Sequence, residues 1–436
     1  MPLLRLIFPL LIASSALALN PPSQIHLSVG LDPTKMNVQW STESPTENGN
    51  SHVLYGSSAS DLSMTSEGGS YPFTDGGDEG YTQHHHVATM TNLEPSETYF
   101  YKVGDDEEGW SDVYEFIATP ETGTMGSRGP LRFGVWGDMG SSNAAILSSV
   151  TEEVAAGNFD MILHVGDFAY NMNDDNGRNG DVFMSNIEQM ATRIPYTVDP
   201  GNHEVAYDFS HYTERFRNMP VNAVDTPTVI TGNGEAPNNW FYSHDFGNVH
   251  FVAISTEIYF NYPDLVEAQY NFVSKDLASV DRSVTPWVIV HGHRPLYCSC
   301  DSDCDTAAET VRLGPDGKFG MEELFHANGV DLYICGHEHN YERMYDVYNG
   351  TSTRSTVNPP ATTYIVTGDA GGPEKHERFK RPKPDRAAYR TAAYGYSRMT
   401  VHNDTHLYWE QVRTGGIIKD RVVDETWIVV DEHGPF

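Results

Sequence analysis

Basic residues are scarce in this chain of 436: 27 lysines and arginines stand against 60 aspartates and glutamates, a formal net charge of −33 at pH 7. A surface of that sign repels phosphate backbones and anionic lipid, which argues against nucleic acid or a membrane as partner. Protonating all 19 histidines would move the balance from −33 toward −14, so an acidic medium would ease the self-repulsion. Cysteine is also scarce. Four in a chain of this length cannot form a disulfide scaffold. Cys298, Cys300 and Cys304 are clustered, and an oxidising compartment would favour a local disulfide among them. A zinc site is the alternative, although no second pair or histidine sits at the usual spacing. Beyond the N-terminus no apolar run is long enough to span a bilayer. There is no G-x-x-x-x-G-K-[ST] loop and no G-x-S-x-G elbow, which excludes the phosphate-loop and nucleophile-elbow routes to catalysis.

What is present begins with a leader. In residues 1–18, Arg5 gives a weak positive start, Leu6 to Ile12 an apolar stretch, and Ala16-Leu17-Ala18 a cleavage motif. A secreted protein is therefore expected. Two N-x-[ST] sequons, at Asn349 and Asn403, fit that expectation as glycosylation sites. The C-terminal stretch Trp427 to Phe436 is neither a lipid-anchor tail nor a retention signal.

From residue 19 to about 120 the text alternates with period two: Gln24–Val29, Met36–Trp40, His52–Tyr55, His86–Met90, Tyr99–Val103 and Val113–Ile117. Gly, Pro, Asn and Asp fill the gaps. Short strands at this spacing predict an antiparallel β-sandwich. Glu67–Tyr81, rich in Gly, Asp and Ser, is expected to be a loop. His84-His85-His86 is expected to start a strand, since adjacent strand residues point to opposite faces and chelate poorly. Residues 121–130 form a Gly-rich linker. The period then changes, with strands at Leu131–Trp136, Asp160–Val165, Pro195–Asp199, His250–Ser255, Trp287–Val290 and Val330–Cys335. Helices are expected at Asn143–Ala156, Asp181–Arg193, Asp264–Ala278 and Gly320–Ala327. This order implies a largely parallel sheet layer whose ligands lie beyond the carboxyl ends of its strands. Residues 346–436 are strand-like and complete the sheets.

Five polar clusters follow five of these strands. They are Gly137-Asp138-Met139-Gly140, Gly166-Asp167-Phe168-Ala169-Tyr170, Gly201-Asn202-His203-Glu204, Val290-His291-Gly292-His293 and Gly336-His337-Glu338-His339. One such cluster would be noise; five in order are not explained by helix capping. Asp, Tyr, Asn and His suit hard or borderline cations. Seven such side chains exceed what one catalytic ion with an open position can use. They suit two ions that share a carboxylate and together clamp a phosphate ester.

In order and spacing these clusters resemble the signature of the purple acid phosphatases, within the metallophosphoesterase superfamily. Gln24 to Trp40 resembles the start of that family's fibronectin type III-like N-terminal domain, and Tyr341-Glu342-Arg343 and Thr367 to Gly372 are similar to family text. The resemblance implies an α+β fold, with an N-terminal antiparallel β-sandwich and, over 131–436, a four-layer αββα catalytic domain with mixed sheets. It implies Fe(III) held by Asp138, Tyr170 and His339, and a divalent zinc, iron or manganese held by Asn202, His293 and His337. Asp167 bridges them, and His203 is the catalytic donor aimed at a phosphate oxygen, with Glu204 as a weaker candidate to orient it. His291 is expected in the sheet. The broader superfamily carries a histidine two residues after the first aspartate; here that residue is Gly140, and the phenolate of Tyr170 supplies the missing ligand. Plant members carry further histidines after the fourth cluster. Leu296 to Glu309 has none, and Gly292 to Cys298 resembles the animal long-form members, which leaves the general acid unassigned. Arg294 is expected to contact substrate or to pair with a nearby aspartate. The implied activity is that of a secreted acid phosphatase acting on small phosphate monoesters by attack of metal-bound hydroxide. The alternatives are the same site acting on diesters, nucleotides or phytate, and a non-catalytic protein working through its sandwich.

Overall fold

The computed structural model describes residues 20–46, 49–221, 226–301, 304, 307–415 and 420–436. The expected leader, residues 1–18, lies outside the described residues.

The N-terminal strands form two antiparallel sheets. One runs in the order Ser23–Val29, Met36–Thr42, Thr82–Met90, Gly69–Thr74. The other contains Met64–Glu67, His52–Gly56, Thr98–Asp105 and Gly109–Trp110, with Tyr114–Ile117 also paired to Thr98–Asp105. Period two sends Ile25, Leu27, Val38, Trp40, Val53, Tyr101 and Phe116 into one shared core. The expected loop at Glu67–Tyr81 is corrected: Gly69–Thr74 is an edge strand, with Ser70 opposite His86 and Phe73 opposite Gln83. A half-buried edge strand tolerates polar residues and glycine, which hid it, and Phe73 is its one fully buried residue. The histidine triplet lies on the neighbouring strand, as expected. His85 Nδ1 meets Ser41 Oγ at 2.9 Å, and His86 stacks on Trp40 at 5.2 Å between ring centroids.

The rest of the chain builds two mixed sheets. The first has the order Tyr196–Asp199, Met161–Val165, Leu131–Trp136, Gly395–Val401, His406–Arg413, Arg421–Val429. Only its first three strands are mutually parallel. The second has the order Tyr242–Phe246, Val249–Ala253, Trp287–His291, Leu332–Cys335, Thr363–Thr367, Tyr341–Asp346, Ala387–Thr391, with its second to fifth strands mutually parallel. The expectation of a largely parallel layer is thus corrected. Strands are parallel where a long crossover joins them, and the C-terminal segment adds antiparallel strands to both sheets.

Alternation along the parallel strands sorts their side chains into two cores. Phe133, Val135, Leu163, Trp287 and Ile289 face a core between the sheets. Trp136, Ile162, Val288 and Val290 belong to a core shared with Val150, Ile187, Val266 and Val273, which come from the helices Leu147–Ala155, Arg178–Ala191 and Pro263–Ser279. The first helix starts later than its sequence pattern suggests. The amide of Asn143 is used instead to donate to the Gly371 carbonyl at 2.9 Å, and Asn143–Ile146 stay non-helical.

Phe133 spans the inter-sheet core, with its ring edge-on to Phe246 at 5.5 Å and Phe251 at 5.2 Å. Phe133→Ala is expected to cost about 3–5 kcal/mol of stability, read as a lower midpoint in chemical denaturation. An unchanged midpoint would mean that the two sheets do not depend on one core.

Candidate active site

The carboxyl ends of the parallel strands of both sheets point to one place. The first sheet delivers Asp138, Asp167 and Asn202, from the loops after Leu131–Trp136, Met161–Val165 and Tyr196–Asp199. The second delivers His293, from the loop after Trp287–His291, and His337 and His339, from the loop after Leu332–Cys335. To turn the side chains inward, Asp138, Asp167, Tyr170 and His337 adopt left-handed backbone, with φ of 60°, 52°, 54° and 68°. Each such conformation costs on the order of 1–3 kcal/mol in a non-glycine residue, and such outliers gather at functional sites. Two glycines are obligatory by contact. A Cβ on Gly201 would lie 2.2 Å from Asp167 Oδ1, and one on Gly336 would lie 2.4 Å from Asp138 Oδ2.

All seven side chains singled out in the sequence are brought together, in two groups. In the first, the Tyr170 hydroxyl lies 2.5 Å from His339 Nε2 and donates to Asp138 Oδ1 at 3.2 Å. His339 Nε2 is itself 3.3 Å from that oxygen. In the second, His293 Nε2 lies 3.1 Å from Asn202 Oδ1 and 3.2 Å from Asp167 Oδ2. One donor atom from each of Asp167, His293 and His337 lies within 4.8 Å of the others. The His337 N–H donates to Asp138 Oδ2 at 2.8 Å, and the Met139 N–H to the Asp167 carbonyl at 3.2 Å, which tie the groups together.

The donor set fits a pair of cations. His293 Nδ1 donates to the Val165 carbonyl at 2.9 Å, so its Nε2 faces two acceptor oxygens. Burial alone would lower this imidazole, but the carboxylate of Asp167 holds it well above its ordinary range, so the pocket demands positive charge there. Burial, followed by the charges of Asp138 and Asp167, pushes the Tyr170 phenol far up, and only a cation beside it would let it ionise. At His337 the Arg294 guanidinium stands in for such a charge, with Nη1 3.0 Å from Nε2.

The surrounding shell differs from expectation in three places. Glu204 does not orient His203; its carboxylate accepts the N–H groups of Asp167, Phe168 and Gly201 at 2.9, 3.0 and 2.9 Å and so holds two of the loops. His203 is oriented by Asn171, whose Oδ1 accepts from Nδ1 at 2.9 Å, and by the Tyr170 ring at 4.6 Å. Its Nε2 then looks toward Asp167 Oδ2 at 3.9 Å and Glu374 Oε1 at 3.7 Å. Arg294 pairs with a glutamate rather than an aspartate, and Glu257 grips it twice, at 2.7 and 3.1 Å. His291 lies in the sheet as expected, bonded to buried Asp199 at 2.7 Å.

Sequence reasoning missed Asn171, Glu374, His376 and Glu377. The last two hold the His339 backbone: its N–H donates to the Glu377 carboxylate, and its carbonyl accepts from His376 Nδ1 at 2.6 Å. They sit in a charged run that reads as a solvated loop, so nothing in the pattern marks them. Of the three clustered cysteines, Cys298 and Cys304 form the disulfide, which removes two thiolates from the zinc alternative. Cys300 is a buried thiol 2.7 Å from Glu338 Oε2. Asn349 and Asn403 are both exposed.

Three family models match the chain. They are the purple acid phosphatase N-terminal domain over residues 22–118, the calcineurin-like phosphoesterase over 131–341, and the iron/zinc purple acid phosphatase-like protein C over 361–425. Acid phosphatase type 7 of Danio rerio is 39% identical over 434 residues, covering 95% of this chain and 92% of that protein. The Homo sapiens protein of the same name is 38% identical over 423 residues, covering 94% and 91%. Among solved structures, purple acid phosphatase PPD1 from yellow lupin seeds superposes with a TM-score of 0.75 at 23% identity, covering 94% of this chain and 75% of that one, and supports the fold. Matched along nearly its whole length, the chain belongs to the purple acid phosphatase family of metallophosphoesterases.

Proposed function

We propose that this protein is a secreted acid phosphatase that hydrolyses small phosphate monoesters at an Fe(III)–M(II) centre, with M zinc, iron or manganese. The observation that carries it is the contact of Tyr170 with both Asp138 and His339 beside Asp167. A phenol in that position is a ligand for a trivalent ion. Asp138, Tyr170 and His339 would hold the ferric ion, Asn202, His293 and His337 the divalent one, and Asp167 both. Once bound, the ions supply Lewis-acid activation of water and of the ester. The leader and the exposed sequons at Asn349 and Asn403 support secretion and glycosylation.

The chain's own residues do the rest. Asn171 Oδ1 accepts the Nδ1–H of His203, so Nε2 is the end that meets the ester, as a donor to a phosphate oxygen. Arg294, immobilised by buried Glu257 and stacked on Phe260 at 4.5 Å, brings a fixed guanidinium donor to the His337 side of the cradle. Glu204 keeps the Asp167 and Asn202 loops in register, so the shared carboxylate cannot rotate away.

The purified protein is expected to be purple to pink and to hydrolyse p-nitrophenyl phosphate at acid pH. Tyr170→Phe should bind iron yet be colourless; wild-type protein that binds iron without a visible band would refute the Tyr170 assignment. Asp167→Ala should lower kcat by at least about a hundredfold and lower the metal content found by elemental analysis. Glu204→Gln turns an amide N–H toward the backbone donors. It should weaken metal affinity by about 10–100-fold in a chelator competition, and wild-type affinity in that variant would remove Glu204 from the site.

A further inference from the structure

The β-sandwich meets the catalytic region through a buried polar chain. Asp75 sits in the turn that follows the edge strand Gly69–Thr74, and its side chain is fully buried. Its Oδ2 accepts the Gly77 N–H at 2.7 Å, and its Oδ1 accepts from His211 Nε2 at 2.8 Å, across to the catalytic region. His211 Nδ1 accepts from Arg215 Nε at 3.3 Å. With one ring nitrogen donating and the other accepting, this imidazole is neutral. Burial, followed by the Arg215 charge, accordingly pushes it down to about 2. Arg215 is wholly buried and spends its other donors on Asp181 Oδ1 at 2.8 Å, Gln24 Oε1 at 3.2 Å and the Gly177 carbonyl at 3.0 Å. Asp75 and Gln24 are sandwich residues, so the guanidinium is shared between the two halves of the chain.

Gly177 closes the short segment that begins with Asn171, the residue that orients His203. The segment is wedged under the sandwich turn: a Cβ on Gly177 would lie 3.2 Å from His211 Cε1 and 3.3 Å from Asp75 Cβ. Arg178 reinforces the seam by pairing with Glu79 at 2.9 Å. On the other side of His203, the residues Tyr207, Asp208 and Phe209 are all left-handed, with φ of 54°, 57° and 57°. The Tyr207 ring packs where a Cβ on Gly76 would be, within 2.5 Å, so the same sandwich turn also covers this strained stretch. Three consecutive left-handed non-glycine residues persist only where their surroundings over-determine them.

We propose that the β-sandwich is a positioning element of the active site, in which Asp75, through His211 and Arg215, fixes the Asn171–Gly177 segment and with it the orientation of His203. This rests on the reading of His203 as the donor that meets the ester. A sandwich that only added stability would not act through one side chain in the other half.

The test is a double-mutant cycle on the full-length, metal-loaded protein. His211→Ala, alone and together with His203→Ala, is compared with His211→Gln, whose amide can still donate to Asp75 and accept from Arg215. Alone, His211→Ala is expected to lower kcat about tenfold with little change in KM, and His211→Gln to retain most of it. In the His203→Ala background, His211→Ala should lower kcat by less than twofold. A full tenfold loss persisting in that background, or no loss in the single variant, overturns the proposal. If His203→Ala itself leaves kcat intact, it is the assignment of His203 that fails. Should a melting curve show that His211→Ala is unfolded, Asp75→Asn, which keeps the shape and one acceptor oxygen, goes through the same cycle with the same criteria.

Discussion

Two carboxylates, a phenol and three imidazoles within a few ångströms of one another, most of them buried, are not a stable arrangement by themselves. In a medium of low dielectric the repulsion between Asp138 and Asp167 and the desolvation of each would drive protonation or rearrangement unless positive charge sat among them. The scaffold is built to hold that crowd in place regardless. Four of its members carry left-handed backbone, Glu204 fixes three amides behind them, and glycine stands where any Cβ would strike a carboxylate oxygen. Each device costs stability, and together they make sense only if the free energy is returned when cations bind.

The division of labour between the sheets follows from the same need. Asp138, Asp167 and Asn202 come from one sheet, and His293, His337 and His339 from the other. Neither sheet holds a complete set, since each group of donors draws on both. The spacing between Asp167 and His293 is therefore set by the inter-sheet core beneath, where Phe133 meets Phe251 and Phe246. Close packing transmits small changes, so register between the sheets is a property of the site as much as of the fold.

This explains what was legible in the sequence. The donors were readable because each follows a strand of apolar residues and because Asp, Asn, Tyr and His have a chemistry of their own; geometry then only had to bring them together. The period-two strands of the sandwich were readable for the same reason, and Gly69–Thr74 was not, since a half-buried edge strand need not alternate. The mixed pairing was hidden because strand direction depends on crossovers, which apolar periodicity does not record. Asn171 and Glu377 were invisible because they act on His203 and His339 through single hydrogen bonds from irregular backbone. Arg294 was visible, but the identity of its partner was not, since Glu257 lies 37 residues away and meets it only after folding.

The charge balance presents the remaining problem. A chain with a formal charge of −33 repels the dianionic esters it is proposed to cleave. Fields from distant surface acids are screened within about 10 Å at ordinary salt, whereas a buried cradle is screened far less. The sign that matters is therefore local. There, with Arg294 balanced by Glu257, two cations would outweigh Asp138, Asp167 and the phenolate, and the field would turn from repulsive to attractive within the mouth. Acidity favours the same outcome by protonating histidines over the surface. An acidic surface and an anionic substrate are compatible if the metal centre that the seven donors call for also reverses the charge that the ester would meet.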